Sequence, residues 1–417
     1  MYHRIRDRRQ KRDNPGLARI AMLLFSQYPN DPRPRREAEA LIQKGFLVDI
    51  ICVYRKGQLR RERVNGVNVY RINLEDSGGS KIRYLFKYSY FIIAAFLKLT
   101  RLHFLKKYDI IHVHNMPDIL IASAILPKLM GAKIILDLHD PMPELFKTIY
   151  SVADDHPMIT ILKWLEKISI RFADLVITPN ISFRNLFISR GCPSAKIHII
   201  MNSPQEDIFK KDLNPNRKQK DQDRRQFILM LHGVIEKRQG HDIAIRAVSV
   251  LRHKIPTLRL HIYGDGGFSK YVQNLVHDLS LQDIVFFHGL VSIEQISQAL
   301  ATIDVGIVPN RMNAFTELNF PTRIFECLAM EKPVIAPRTQ GILDYFDEDS
   351  LYFFEPEDVK DLARLILDIY SKPVCRNKVL NKGIYVYKQH YWASEKKRLV
   401  NLTKNLINHV EVDFNSI

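Results

Sequence analysis

Short apolar runs recur along the chain in two series, each run stopped by glycine, proline or a polar cluster. The first series is Leu17–Phe25, Val48–Val53, Val67–Ile72, Ile110–His114, Lys133–Asp137 and Leu175–Thr178. The second is Phe227–Leu231, Leu258–Tyr263, Val285–Phe287, Asp304–Pro309 and Pro333–Ala336. The runs are rich in β-branched and aromatic residues and nearly continuous, as strands covered on both faces are. Between them the apolar positions take helical spacing, over Glu37–Lys44, 84–106, 117–130, 157–172, 180–190 and Ile243–Leu251. Strand and helix in alternation predict α/β structure with doubly wound parallel sheets, whose ligands lie beyond the carboxyl ends of the strands.

Two sheets rather than one follow from length, since 417 residues exceed a single ordinary core. Residues 210–226 hold seven Lys or Arg and three Asp with Leu213 as their one large apolar residue, so this stretch cannot bury surface. The expected division is a basic tail over 1–16, an N-terminal Rossmann-like domain over 17–205, a linker over 206–226, a second such domain over 227–385, and a closing helix over 386–417. Cys52, Cys192, Cys327 and Cys375 are scattered, as core thiols in a reducing compartment would be. No apolar segment follows the basic start, so no secretory signal is expected. The longest apolar run, Tyr88–Leu97, is about half of the ~20 residues a membrane span needs.

The chemistry concentrates after Phe227–Leu231. That run ends in His232-Gly233 and continues as Glu236-Lys237-Arg238-Gln239-Gly240 into a helix. A glycine lets the backbone leave the strand sharply, and the new helix offers free N–H groups to an anion. Farther on, Pro321-Thr322-Arg323 opens another helix with Glu326 one turn in, where a carboxylate can hold a pair of ribose hydroxyls.

With these residues goes an ordered set: Asp31-Pro32-Arg33 before Arg36-Glu37-Ala38, Tyr108 to His114, Leu136-Asp137-Leu138-His139-Asp140, Tyr263-Gly264-Asp265-Gly266, and Pro321 to Glu326. Over roughly residues 18–400 the chain resembles the family 4 glycosyltransferases, retaining enzymes of the GT-B fold, in which two Rossmann-like domains face a cleft. The resemblance implies a nucleotide-diphosphate sugar, UDP- or GDP-linked, as donor, with no bound cofactor and no metal. It implies donor contacts from Gly233, Lys237, Arg238, Gly264, Glu317, Pro321, Thr322, Arg323 and Glu326. His139 would reach the donor sugar, Arg238 would meet the charge growing on the leaving diphosphate, and Asp140 would orient the acceptor. Four positions depart from the family pattern: Val234 and Gln239 stand where Arg and Lys are usual, Leu318 where a carboxylate is, with Glu317 one place off, and Pro34 where a small apolar residue is common.

The net charge of +17 calls for a polyanionic partner. Residues 78–107 carry seven Lys or Arg and no acid, interleaved with aromatics, and the first twelve residues add six more cations. Together they predict reversible docking on an anionic membrane surface, the cytoplasmic inner face, where a glycan or lipid-linked acceptor would be met. Nucleic acid explains the charge but not the glycine turn. A nucleotide-sugar epimerase of the same fold and a non-catalytic transferase-like subunit are the rival readings. His112 and His114 read as a strand-edge and a cleft-lining residue, and an i, i+2 pair alone is a poor metal candidate.

Overall fold

The computed structural model of the chain describes residues 18–74, 81–210 and 226–408, with the backbone alone at 81–85 and 373–376. The basic first twelve residues, most of the charged linker and the side chains of Lys81, Arg83 and Cys375 lie outside the described residues.

The N-terminal sheet is built from β1 (Arg19–Leu23), α1 (Pro32–Gln43), β2 (Leu47–Val53), β3 (Arg61–Val64), β4 (Val67–Ile72), α2 (Lys81–Lys106) and β5 (Ile110–His114). A 3-10 helix (Asp118–Ala124) then runs into α3 (Ile125–Leu129), followed by β6 (Lys133–Asp137), α4 (Met142–Tyr150), α5 (Pro157–Phe172), β7 (Leu175–Thr178), α6 (Ile181–Ser189) and β8 (Ile197–Ile199). The strands lie in the order β3-β4-β2-β1-β5-β6-β7-β8. All pairs are parallel except the β3–β4 hairpin. The second sheet follows with β9 (Phe227–His232), α7 (His241–Leu251), β10 (Leu258–Tyr263), α8 (Ser269–Asp278), β11 (Val285–Phe287), α9 (Ile293–Thr302), β12 (Val305–Ile307), α10 (Arg323–Ala329), β13 (Val334–Pro337), α11 (Gln340–Leu343), β14 (Tyr352–Phe354) and α12 (Val359–Ser371). Its order is β11-β10-β9-β12-β13-β14, parallel throughout. The expectation of two doubly wound parallel sheets therefore holds.

Several local expectations are corrected. The helix expected from Glu37 starts earlier, in α1: Pro32 sits in the first helical turn, where a missing N–H removes no bond, and this puts Arg33, Arg36 and Glu37 on one helix. A single helix over 117–130 is replaced by 3-10 and α pieces, because Pro127 lacks the N–H that would bond the carbonyl of Ser123. β5 is flanked by β1 and β6, so His112 is central and fully buried rather than at an edge. Strand β3 was not foreseen, although Asn65-Gly66, both at positive φ, form the turn that such a hairpin needs.

The C-terminal segment folds as two helices, α13 (Pro373–Gln389) and α14 (Trp392–Asn408). Tyr387 packs among Phe320, Phe325 and Phe346 of the second domain. Trp392, Leu399, Val400 and Leu402 pack instead among Ile20, Met22, Leu41 and Phe46 of the first. The buried Glu395 carboxylate of α14 accepts the N–H of Met201 at 2.9 Å. The domains also meet directly: Thr148 Oγ1 donates to Asn313 Oδ1 at 2.8 Å and the Ile181 N–H to Tyr345 Oη at 3.0 Å.

Trp392→Ala empties a packed position between α14 and the first sheet, so the folded form is expected to lose about 3 kcal/mol. Urea unfolding followed by far-UV circular dichroism measures this; an unshifted midpoint would mean that α14 does not dock there.

Candidate active site

Three loops at the carboxyl ends of β9, β10 and β12 are pressed together, backbone on backbone. Gly233 has φ +118 and Gly264 φ +135, and a Cβ on Gly264 would lie 1.8 Å from the Gly233 carbonyl oxygen. A Cβ on Gly240, at φ +68, would lie 1.8 Å from the Pro309 carbonyl oxygen. L side chains avoid such backbone angles, so glycine is required at these points by conformation and space together. The Gly233 N–H donates to the Tyr263 carbonyl and the Ile235 N–H to that of Asp265. The sequence 237–239 forms a 3-10 turn, and α7 starts at Gly240 without a side-chain cap.

Arg323 ties this turn down from within. Its guanidinium donates to the His232 carbonyl at 2.9 Å, to Gln239 Oε1 at 2.5 Å and to Asn310 Oδ1 at 2.9 Å. Burial pushes its pKa down to about 10 despite the neighbouring Glu326. Glu326 Oε2 is 2.6 Å from His232 Nε2, and the Glu326 side chain keeps 14% of its surface open. Pro321 precedes α10 rather than opening it; its carbonyl accepts the N–H of Ile324, and Thr322 is the cap. Glu317 Oε1 accepts the N–H of Gln340 at 3.4 Å, and burial raises its pKa. Lys237 is exposed and Arg238 half-buried, with no partner for Arg238 Nε.

The facing wall carries a buried charged network that the sequence did not disclose. Arg33 donates to both oxygens of Asp137, Nε to Oδ2 at 2.8 Å and Nη2 to Oδ1 at 2.7 Å. Its Nη1 reaches the Ile200 carbonyl at 2.8 Å and Asn202 Oδ1 at 2.9 Å. Burial would raise Asp137, but Arg33 and His139 outweigh it and hold the carboxyl well below the usual range. Asp137 Oδ2 also lies 2.9 Å from His139 Nε2, while His139 Nε2 is 3.0 Å from His114 Nδ1. His139 thus turns its Nε2 toward Asp137 and His114. Asn115 fixes the following loop, accepting the His139 N–H and donating to the Asp140 carbonyl, both at 2.8 Å. Glu37, His112, His114 and Asp137 have potential ligand atoms within 4.8 Å of one another, and all four are buried. Burial raises Glu37 and lowers both histidines.

The two walls act on each other across the cleft. Burial raises the Asp140 carboxyl, and the charges of His139, of Arg238 from the opposite domain and of Arg33 pull it back. Burial and Arg33 push Arg36 down to about 10, opposed by Glu37 and, from the other domain, Glu326. His139, Asp140, Arg238 and Glu326 are therefore brought to one cleft. Arg33, Arg36, Glu37 and Asp137 were missed as a group. Their one signal was charge among the apolar positions of a helix start and of a strand end.

The sequence leads to one family, and the shape to its fold. Residues 35–203 match the model described as Glycosyltransferase Family 4, and residues 212–385 the model described as Glycosyl transferases group 1. The chain is 27% identical over 152 residues to a putative glycosyltransferase, EpsD, of Bacillus subtilis, covering 36% of this chain and 38% of that protein. It is 27% identical over 209 residues to a GDP-mannose-dependent alpha-(1-6)-phosphatidylinositol monomannoside mannosyltransferase of Mycolicibacterium smegmatis, covering 48% and 54%. The match thus spans about half or less of each of these relatives. In fold it is similar to sucrose-phosphate synthase from Thermosynechococcus elongatus, with TM-score 0.75 and 18% identity over 94% of this chain and 100% of that one. It is also similar to Anabaena HepE in complex with UDP-glucose, with TM-score 0.69 and 16% identity over 93% and 99%. Matched in both halves by family models and built as two facing parallel-sheet domains, the chain belongs to the group 1, family 4 glycosyltransferases, of GT-B architecture.

Proposed function

We propose that the chain transfers a sugar, with retention, from a nucleotide-diphosphate donor to a glycan or lipid-linked acceptor at the inner face of the cytoplasmic membrane. Residues 17–205 would serve the acceptor side and 227–385 the donor side, with 206–226 as linker and 386–417 closing the two. The observation that carries the reading is Glu326: a carboxylate held at 2.6 Å by His232, partly open, beside the glycine turn. One oxygen is fixed by the histidine and the other is left for ribose hydroxyls. Diphosphate would lie over Gly233 and Gly264, where no side chain intervenes, and Arg238 and Lys237 would supply cations. Arg323 would act on the donor only by holding the turn, since its contacts are already internal. As the glycosidic bond breaks, charge grows on the departing phosphate, and fixed cations favour that state over the bound donor. The departing phosphate would itself help take the acceptor proton, with Asp140 and His139 orienting the acceptor and donor sugar. Structures of similar fold hold UDP or UDP-glucose, and one relative is a GDP-mannose-dependent mannosyltransferase; both donor classes suit the site.

The membrane part of the reading is supported by α2, which has two apolar faces. Phe91, Ala95, Leu99 and Leu102 are buried against the sheet. Phe86, Tyr90, Ile93, Leu97 and Phe104 are exposed along one line of the helix, with Arg101 completing the i, i+4 or i+3 spacing and Lys98 exposed one position round, its ammonium 5.8 Å from the Tyr70 ring centre. An outer apolar stripe studded with cations suits an anionic leaflet. Among the described residues no helix is long and apolar enough to cross a membrane.

A thermal-shift screen of UDP- and GDP-sugars should find one that raises the melting temperature and is turned over; stabilisation by none would overturn the donor assignment. Glu326→Ala should lose about 1.5–3 kcal/mol of nucleotide binding by calorimetry, and unchanged affinity in a folded variant would remove the ribose role. Arg238→Gln is expected to lower kcat more than it weakens donor binding, whereas an equal kcat would move that role to Lys237. The protein should co-sediment with anionic rather than zwitterionic vesicles, less so at high salt. Reversing the charge of Lys98 and Arg101 should release it, each cation near the leaflet contributing about 1 kcal/mol. No sedimentation even at low salt would refute the membrane reading.

A further inference from the structure

Fifteen of the twenty-six large apolar side chains exposed among the described residues lie between Phe86 and Ile168. Single exposed apolar residues are ordinary, whereas a concentration of this kind marks a docking surface. Six of the fifteen belong to α2. A second stripe runs along α5, where Met158, Ile161, Trp164 and Ile168 are 38–60% exposed at i, i+3 or i+4 spacing. Ile159, Glu166 and Ile170 on the opposite side of that helix are buried. The 3-10 helix that leads into α3 is bonded to both neighbours. Its Ser123 Oγ donates to the Ile92 carbonyl of α2, and Ser169 Oγ of α5 donates to its Asp118 carbonyl, both at 3.1 Å. α3 itself adds Ile125 and Leu129, so the outer stripes belong to one continuous layer on the sheet. From within, Arg190 Nη1 holds Glu166 Oε2 at 3.0 Å, which keeps the Trp164 side of α5 turned outward.

The charges on this layer select its partner. The acids of α2, the 3-10 helix, α3 and α5 are Asp118 and Glu166 alone, and both are buried. Lys98, Arg101, Lys167 and Arg171 are exposed on the same helices. Asp154 and Asp155 stand in the turn before α5, with Asp154 held by Lys147 at 2.6 Å. A second copy docked through the same face would set these cations against their own kind. An anionic leaflet meets cations and apolar side chains together, and Trp is a side chain that settles at headgroup level.

We propose that α5 is a second membrane-contacting element, and that the chain lies on an anionic leaflet through α2, α3 and α5 together, with Trp164 entering the headgroup layer. The contact rests on the membrane reading of α2 and extends it from one helix to a face. One helix fixes only a line on the surface, whereas two fix a plane. α2 follows β4 and α5 leads into β7, so both begin on the side of the strands' carboxyl ends, where the cleft is. Docking through both therefore holds the cleft at a fixed attitude to the leaflet.

The chain has two tryptophans, and Trp392 is only 7% exposed, so emission reports chiefly on Trp164. The full chain is mixed with vesicles of phosphatidylglycerol and phosphatidylcholine, and separately with phosphatidylcholine alone. Emission should shift to the blue with the anionic vesicles only, and should be quenched by lipids brominated on the acyl chain. Trp164→Phe should abolish both signals. Ile161→Glu with Ile168→Glu, shown to be folded by circular dichroism, should weaken co-sedimentation by about tenfold or more. If that variant does not fold, the parent's emission and its loss in Trp164→Phe decide. Co-sedimentation with no change in emission overturns the role of α5 and leaves α2 as the contact. No co-sedimentation at all overturns the membrane reading together with it. A lipid-free dimer in the ultracentrifuge that the paired variant dissociates gives the face to a second copy and overturns the proposal as well.

Discussion

The cleft face of the N-terminal domain depends on the pairing of Arg33 with Asp137, in a place where neither charge could be left alone. Both are almost fully buried, and the two parallel hydrogen bonds between them fix angle as well as distance. Removing one partner of such a pair costs about 3–5 kcal/mol, because the remaining charge stays buried without a counter-charge. The pair is also a junction. Arg33 comes from α1, Asp137 from the end of β6, and the spare guanidinium nitrogen reaches Ile200 and Asn202 just past β8. Through Asp137 the same interaction sets His139, so the helix that follows β1 decides how a residue at the cleft is turned.

The second wall is set by the opposite device, the absence of side chains. At Gly233, Gly240 and Gly264 neighbouring backbones leave no room for a Cβ, and a buried guanidinium, Arg323, gathers the loops by their carbonyls and amides. The departures from the family pattern become physically consistent here. Gln239 offers Arg323 an acceptor, where a lysine would have set two cations together. Leu318, in place of a carboxylate, packs against the N-terminal core with Phe315, and a charge there would be costly to bury. Arg323 is therefore a clamp, and the half-buried Arg238 is a cation with an unpartnered nitrogen.

What the sequence could disclose was local. The strands were legible because each is a short apolar run with its own stop, and the glycine turns because their backbone demands fall on single residues. Glu326 stood out for the same reason, a carboxylate among Phe325, Cys327 and Leu328. The network of Arg33, Glu37, His112, His114 and Asp137 was not legible as a unit. It is assembled from three elements up to a hundred residues apart, and each member alone resembles a charge at a helix start or a polar residue at a strand end. Two misses were avoidable in principle: Asn65-Gly66 is a hairpin signal, and Pro127 rules out one continuous helix. His139 was legible as a residue but not as a rotamer, since its orientation is set by Asp137 and His114.

The same reach across the chain governs how the domains stand to each other. Phe315 belongs by sequence to the nucleotide-side half, yet it lies 5.9 Å from Phe183 and is counted in the core of the first domain. Trp392 and the apolar face of α14 complete that domain's other core layer from the far end of the chain. Burying a Trp or Phe side chain removes an area worth a few kcal/mol from water. The N-terminal sheet is therefore covered in part by residues that follow the second domain's strands, and its stability is tied to the presence of the rest. That dependence also sets the cleft. With α14 on one sheet, α13 on the other, and Thr148, Ser182 and Ile181 bonded across to Asn313, Asp344 and Tyr345, the facing walls are held at several points by packing and hydrogen bonds together. Asp140 and Arg238 feel each other's charge because those distant contacts hold their loops opposite one another.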